Sequence, residues 1–457
     1  MGDPFCPNCQ ELSRQLAARD KRIEELEGLQ ALLEYDVKEL RQKEFGKGKK
    51  KRKQGDKPPP KKRGAPLGHP GWFRKKPERI DVTEEVTLDH CPQCGGRDLT
   101  ECEEIEEHIQ EDIVLPKLKV TRYRRHHYYC KGCKEVVSGR GKEEIPHSYI
   151  GPQAKAVAAF LKYRIKVSQR DIQTILKQLC GLRIVPSSIP GFHNQLRKRS
   201  LSLYEGLKEK IRQAPWVHAD ETGSRLDGKN HWDWVFATVH ICLHVIRKSR
   251  GQKVVEEILG KRYGGVLISD FLSAYNRLEA KAKQRCLVHL LRDLKKALEQ
   301  SSVDDPVHAY CQELKALLQR AIKLQEQYTE GNIAEQDFVE QRDRLVETLK
   351  DFQFPDPQKG ILRRLRKRLA RHKDELFTFL FYPGLPYHNN HAEQLIRPSV
   401  LLRKITFGNR SEQGALNHSV LMSVLQTAQL NGKEAIPLLR QILLSPQDPP
   451  LSMCLGP

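Results

Sequence analysis

The chain has 457 residues, more than one ordinary hydrophobic core accommodates, so two or more domains are expected. Its hydrophobic fraction is 38% and its mean hydropathy −0.62, and no run approaches the ~18 apolar residues of a membrane span. A net charge of +21 with a pI near 9.4 implies a polyanionic partner. The first residues lack the apolar core of a signal peptide, so a cytoplasmic protein is expected. In that compartment twelve cysteines argue for metal ligation or burial rather than a disulfide framework.

Residues 1–43 read as a coiled coil. One heptad row is Leu16, Ile23, Gln30 and Val37, the other Leu12, Arg19, Leu26, Leu33 and Leu40. Apolar side chains hold all but Gln30 and Arg19, which predicts a homodimer or higher oligomer; a single amphipathic helix folded onto another domain is the alternative. Cys6 and Cys9 supply only two ligands and are assigned no metal. Residues 44–80 form a basic tether, densest at Lys49, Lys50, Lys51, Arg52 and Lys53. Too rich in Lys, Gly and Pro to build a core, it is expected to be disordered and to bind phosphates without reading bases.

Over 81–148, two C-x-x-C knuckles, Cys91 with Cys94 and Cys130 with Cys133, match the thiolate set of one structural Zn²⁺ in a ribbon. The strand-like stretch Lys119–Arg124 suits a hairpin between the knuckles. The basic aromatic run Arg122–Tyr129 either faces DNA or packs its own tyrosines. Residues 149–213 read as helical, with Ser168 capping one helix and Gly181 stopping it. A second helix, capped by Ser187, would expose His193, Asn194, Gln195, Arg197, Lys198 and Arg199. That is the pattern of a helix-turn-helix; a helical connector looks similar.

From 214 to 300 the period switches to strands, at 214–220, 231–239, 241–248 and 264–270, with a short helix at Gln252–Leu259. Three strands, a helix and a further strand follow the order of an RNase H-like core. Residues 301–380 read as a helical insertion, 381–432 as the last part of the core, and 433–457 as a C-terminal tail. The fold class expected is multidomain α+β: coiled coil, zinc ribbon, helical DNA-binding region, and RNase H-like α/β core with a helical insertion.

Three acids stand out in this core. Asp220 and Asp270 each end an apolar run, and Glu393 opens a predicted helix. Gathered at one point they would repel one another unless divalent cations neutralise them, and hard oxygen ligands suit Mg²⁺. The chemistry that needs such a cluster is in-line phosphoryl transfer with two metal ions. Each acid has a competing reading: a turn at Asp220 with Glu221 as rival ligand, a helix cap at Asp270, and a capping box Asn390-x-x-Glu393. His218 reads as a buried structural histidine, and Cys286-x-x-His289 as a local packing pair beside the core.

The blocks around these acids resemble the IS66 family of insertion-sequence transposases. His218-Ala219-Asp220-Glu221-Thr222-Gly223, continuing through Asp227–Trp232, is similar to the first catalytic block. Asp270 through Tyr275-Asn276, then Arg285–Leu294, resembles the second; Asn389-Asn390-His391-Ala392-Glu393-Gln394 with Ile396-Arg397-Pro398 resembles the third. Arg403-Lys404-Ile405, Arg410–Ala415, the heptad segment, Gly68-His69-Pro70-Gly71 and the cysteine knuckles extend the likeness over nearly the whole chain. Leu287, where the family often has an aromatic, and His391 depart from it without removing a carboxylate. The resemblance implies a DDE triad of Asp220, Asp270 and Glu393 binding two Mg²⁺. It implies cleavage at transposon ends, joining to target DNA, and helper proteins from the same element. The alternatives are an RNase H-like nuclease or resolvase that cuts without joining, and a zinc-ribbon DNA-binding protein without catalysis.

Overall fold

The computed structural model describes residues 77–455 except 91, 98, 101–107, 302–305 and 354–360. The expected coiled coil, and the tether up to residue 76 with its Lys49–Lys53 run, lie outside the described residues. The chain divides into two units, Met1–Glu111 and Asp112–Pro457. In the first, a turn covers Pro92–Cys94.

The second unit opens with a hairpin, β1 (His127–Cys130) and β2 (Glu135–Ser138), with Cys130 and Cys133 at its turn. The strand material therefore lies C-terminal to Lys119–Arg124, which is not in a strand. Four helices follow: α1 (Pro152–Tyr163), α2 (Gln169–Cys180), α3 (Ser188–Arg199) and α4 (Leu201–Gln213). Ser168 accepts from the Asp171 N–H at the start of α2, and Gly181 closes it at φ 68°, a backbone conformation that favours glycine. Ser187 occupies the cap position of α3 but makes no capping bond.

The central sheet has five strands: β3 (Trp216–Leu226), β4 (Lys229–Ala237), β5 (Cys242–Arg247), β6 (Arg262–Ser269) and β7 (Glu279–Arg285). Their order is β5-β4-β3-β6-β7; the β5-β4-β3 side is antiparallel, and β3-β6-β7 is parallel. α5 (Gln252–Leu259) carries the chain from β5 to β6, at the bounds the sequence suggests. Side chains alternate across the sheet. Val217, Ala219, Trp234, Phe236 and Leu267 face one apolar cluster with Leu207 of α4 and Val254, Val255 and Ile258 of α5. On the opposite face Val266 and Ile268 join a second cluster built from α6 (Leu287–Gln300) and the helices α7 (Pro306–Thr329), α8 (Glu335–Asp351) and α9 (Ile361–His372). These last three fall where a helical insertion is expected; α7 and α9 pack on α6 and α8 packs on α7, so they extend the core instead of leaving a loose appendage.

The chain then returns as α10 (Asn390–Thr406), α11 (Glu412–Leu430) and α12 (Ala435–Leu444). α11 covers the open edge of β5. Thr427, Ser423 and Ser419, four residues apart on one helix face, accept from the outward backbone N–H groups of Cys242, His244 and Ile246 at 3.0, 2.7 and 3.1 Å. An edge strand is thus satisfied by side-chain hydroxyls in place of another strand. The segment 433–457 is not a free tail: Leu438, Leu439, Ile442 and Leu443 of α12 are buried against α1 and α11. No helix among the described residues is long and apolar enough to cross a membrane.

Candidate active site

Parallel pairing of β3 with β6 sets Ala219 opposite Ser269. Asp220 and Asp270 are the next residues on the two neighbouring strands, so the register brings these acids side by side. β6 ends at Ser269, as the apolar run suggests. β3 does not end at Asp220: it continues to Leu226 as a long hairpin with β4, because Asp227 (φ 50°) and Gly228 (φ 71°) form the positive-φ turn that hairpins favour. Asp220 is therefore a mid-strand residue whose parallel neighbour has just left the sheet.

Glu393 reaches the same place from α10. The helix begins one residue earlier than a capping box at Asn390 requires: Asn389 is at the cap position, and its side chain caps nothing. Instead its Nδ2 donates to the Ala219 carbonyl at 2.8 Å, and its Oδ1 lies 3.2 Å from His218 Nδ1. Its backbone N–H donates to Cys286 Sγ at 3.2 Å. The start of α10 is thereby fastened to the residue before Asp220. Glu393 Oε1 is buried with no hydrogen-bond partner, 3.7 Å from a His289 Nδ1 that also lacks one. Cys286, His289 and Glu393 have ligand atoms within 4.8 Å of one another, so the Cys-x-x-His pair gains a third polar neighbour absent from its local sequence.

The electrostatics follow from this crowding. Burial first, then the charges of Glu221, Asp270 and Glu393, push the Asp220 carboxyl up to about 7, against an opposing hydrogen bond from the Glu221 N–H. Glu221, the rival ligand, faces the other side of the sheet. It accepts from Arg250 at 2.7 Å and from the Tyr275 hydroxyl at 2.8 Å, so both its oxygens are engaged. Asp270 Oδ1 accepts from the Leu272 N–H at 2.8 Å, which fixes the turn after β6 without consuming its second oxygen. A clustered, oxygen-only set with an unpartnered buried oxygen fits hard divalent cations. Among the described residues, the three acids are not one of the trios whose ligand atoms lie within 4.8 Å of one another.

Sequence reasoning passes over two supporting residues. Asn389 is one; its doubled Asn-Asn context hints at something beyond capping. Arg285 is the other, fully buried at the end of β7, donating to the Asp270 carbonyl at 2.7 Å, Asn276 Oδ1 at 2.9 Å and Glu375 Oε2 at 2.6 Å. It ties the Asp270 turn to the insertion. His218 is 2% exposed, as expected of a structural histidine, and His391 Nε2 is 2.8 Å from the Thr238 carbonyl.

The candidate nucleic-acid contacts separate. His193 is buried, which corrects its expected exposure. Arg197 Nε donates to Asn417 Oδ1 at 3.1 Å, and Arg199 Nη2 lies 3.5 Å from the Gln447 carbonyl, so α3 packs on α11; Lys198 is exposed. In the hairpin, Tyr128 and Tyr129, adjacent on β1, are both exposed, so the hairpin does not bury its own tyrosines. The Cys130 thiol is held below its usual range by the backbone N–H and thiol of Cys133 and the N–H of Gly132, the arrangement a thiolate ligand needs. Cys94 is exposed in the first unit, and Cys91 lies outside the described residues.

Comparison with known proteins joins these parts. Residues 147–417 match the transposase IS66 family, and residues 89–134, spanning all four knuckle cysteines, match the zinc-finger binding domain of transposase IS66. An uncharacterized protein, y4jO of Sinorhizobium fredii (strain NBRC 101917 / NGR234), is 35% identical over 71 residues, 16% of this chain. The chain spans 22% of that relative's length.

Proposed function

The chain belongs to the IS66 transposase family, and on that premise we propose that it cuts the ends of an insertion sequence and joins the freed 3′ hydroxyl to target DNA. The observation that carries this reading is the register of β3 on β6, with the α10 terminus tied to Ala219 by Asn389. Asp220, Asp270 and Glu393 are the residues assigned to catalysis. The sheet order, three antiparallel strands followed by two parallel ones, supports an RNase H-like core interrupted by the α7–α9 insertion.

Two Mg²⁺ ions held by these three carboxylates would supply an activated nucleophile and charge stabilisation at the phosphorus. The chain's own part is positional. Arg285 and the Asp270 turn fix one ligand, Asn389 orients the helix bearing another, and Glu221 is kept away by Arg250 and Tyr275. His289, with Nδ1 3.7 Å from Glu393 Oε1, would act as a positioning residue beside this carboxylate. One Zn²⁺ on Cys91, Cys94, Cys130 and Cys133 would order the ribbon, and the thiolate-favouring Cys130 supports that role. Lys49–Lys53 would add phosphate affinity, with Lys198 as the exposed contact on α3. The heptad segment would pair protomers so that two ends are held together, and companions encoded by the same element would complete the assembly. The site of action is the bacterial cytoplasm, on nucleoid DNA.

The test is incubation of the full-length protein and Asp270→Asn with labelled element ends and target DNA, with and without Mg²⁺. Wild-type-only, metal-dependent nicking with joined products is expected. Cutting without joining would indicate a nuclease or resolvase, and intact cleavage by Asp270→Asn would overturn the assignment.

A further inference from the structure

Beyond the acids, α10 ends at an unusual residue. Phe407 adopts φ 58° and ψ 18°, the left-handed region that bulky side chains avoid, and it is 78% exposed. It belongs to none of the apolar clusters among the described residues. Neither local propensity nor packing explains an aromatic there.

The segment is nonetheless held firmly. Asn409 N donates to the Arg225 carbonyl at 2.8 Å, and Asp227 N donates to the Asn409 carbonyl at 2.9 Å. Gly408 sits so close that a Cβ would meet Arg225 Cβ at 2.6 Å and its carbonyl oxygen at 2.7 Å, so only glycine fits. Phe407 is thus mounted on the tip of the β3–β4 hairpin. Around it the surface is cationic: Arg225, Lys229, Lys404 and Arg410 are exposed and Arg403 half-buried, with Asp227 as the exposed acid at the turn. An exposed aromatic ringed by cations suits a stacked base flanked by phosphates.

Its distance from the acids is set by two independent elements. From Asp220 to Leu226 the strand rises roughly 20 Å, and from Glu393 to Phe407 the helix rises roughly 20 Å. That span matches about six steps of a DNA strand at 3.4 Å each.

We propose that Phe407 is a DNA-stacking wedge, entering the duplex about six base pairs from the scissile phosphate while the neighbouring Arg and Lys side chains hold its backbone. This rests on the DNA-cutting reading above and adds a substrate contact to it. The strained backbone is retained because it presents the ring.

The experiment uses the full-length protein with element-end duplexes carrying 2-aminopurine at successive positions, and compares wild type with Phe407→Trp, Phe407→Ala and Phe407→Gly. Wild type and Phe407→Trp are expected to raise emission at one step near the sixth from the cut. Phe407→Ala and Phe407→Gly should abolish that rise and weaken binding about tenfold, with recovery on a duplex made abasic at that step. Phe407→Gly should also raise the melting temperature, since glycine accepts the positive φ without strain. A merely structural Phe407 predicts the opposite shift. Normal binding by Phe407→Ala, or emission that never depends on residue 407, overturns the proposal while leaving the cutting reading intact. A change in oligomeric state with unaltered DNA binding would instead make this a contact between copies of the chain, and it too overturns the proposal. Failure of the wild type to bind element ends at all defeats both.

Discussion

Asp220 is costly to keep ionised. Burial, and after it the charges of Glu221, Asp270 and Glu393, push its carboxyl up to about 7. An acid whose folded pKa is raised destabilises the fold as pH climbs through its unfolded value, near 4, with the full cost reached above about 7. In metal-free protein at pH 8, Asp220→Asn is therefore expected to raise the melting temperature even as it abolishes cleavage. The gap should shrink to a small remainder at pH 4, where the folded Asp220 carboxyl is protonated. Thermal unfolding at the two pH values checks this, and a variant less stable than wild type at pH 8 would contradict it. On the proposed two-metal reading, divalent cations would reverse the balance by binding only the ionised form, so Mg²⁺ affinity should fall as pH drops below about 7.

Elements carry the next level of argument. The hydroxyl ladder of α11 satisfies three N–H groups of the β5 edge, and Ser423 has the shortest of these bonds, 2.7 Å to His244 N. Ser423→Ala leaves that donor buried and unpaired, at a cost of about 1–3 kcal/mol. Urea unfolding should show the loss, whereas Ser445→Ala, at the exposed end of α12, should not. This covering helix also marks where the sequence was legible. The apolar runs before Asp220 and Asp270 have a strand period that needs no partner to recognise, and Gln252–Leu259 declares itself by its buried face. β7 does not: Glu-Ala-Lys-Ala-Lys-Gln-Arg reads as a solvated charged stretch. Its end is buried because Gln284 and Arg285 are satisfied in part by Leu376 and Glu375, about 90 residues away. Likewise Asn390-x-x-Glu393 is a sound local cap, but Asn389 is drawn to the Ala219 carbonyl on a distant strand. Local pattern singled out Asp220 and Asp270 as strand-end acids but read Glu393 as a cap, and long-range hydrogen bonds decided how all three segments are held.

At the scale of the whole molecule, buried imidazoles make stability depend on acidity. Burial, with a smaller contribution from the His391 charge, lowers His218 to about 4; burial lowers His418 to about 4 despite the opposing charge of Asp233. Between pH 6.5 and 4 the unfolded chain binds these protons and the folded chain does not, so stability falls as pH drops through that window. The expected loss from pH 7 to pH 5 is about 2 kcal/mol per histidine, and His418→Gln should flatten that slope in urea titrations. Asp233, buried between His244 and His418, behaves differently: burial works to raise it, but the His244 charge prevails and holds it low, so its contribution persists until stronger acid.

The guard on β5 also has a timetable. His244 and the Ser423 that covers it are 179 residues apart, so at roughly 5–20 residues per second the ribosome needs on the order of 10–40 s to deliver one after the other. Throughout that interval the nascent sheet offers a bare edge to any passing strand. Every prematurely terminated copy ending before α11 would keep that edge permanently, and would be the species that chaperones and proteases meet first.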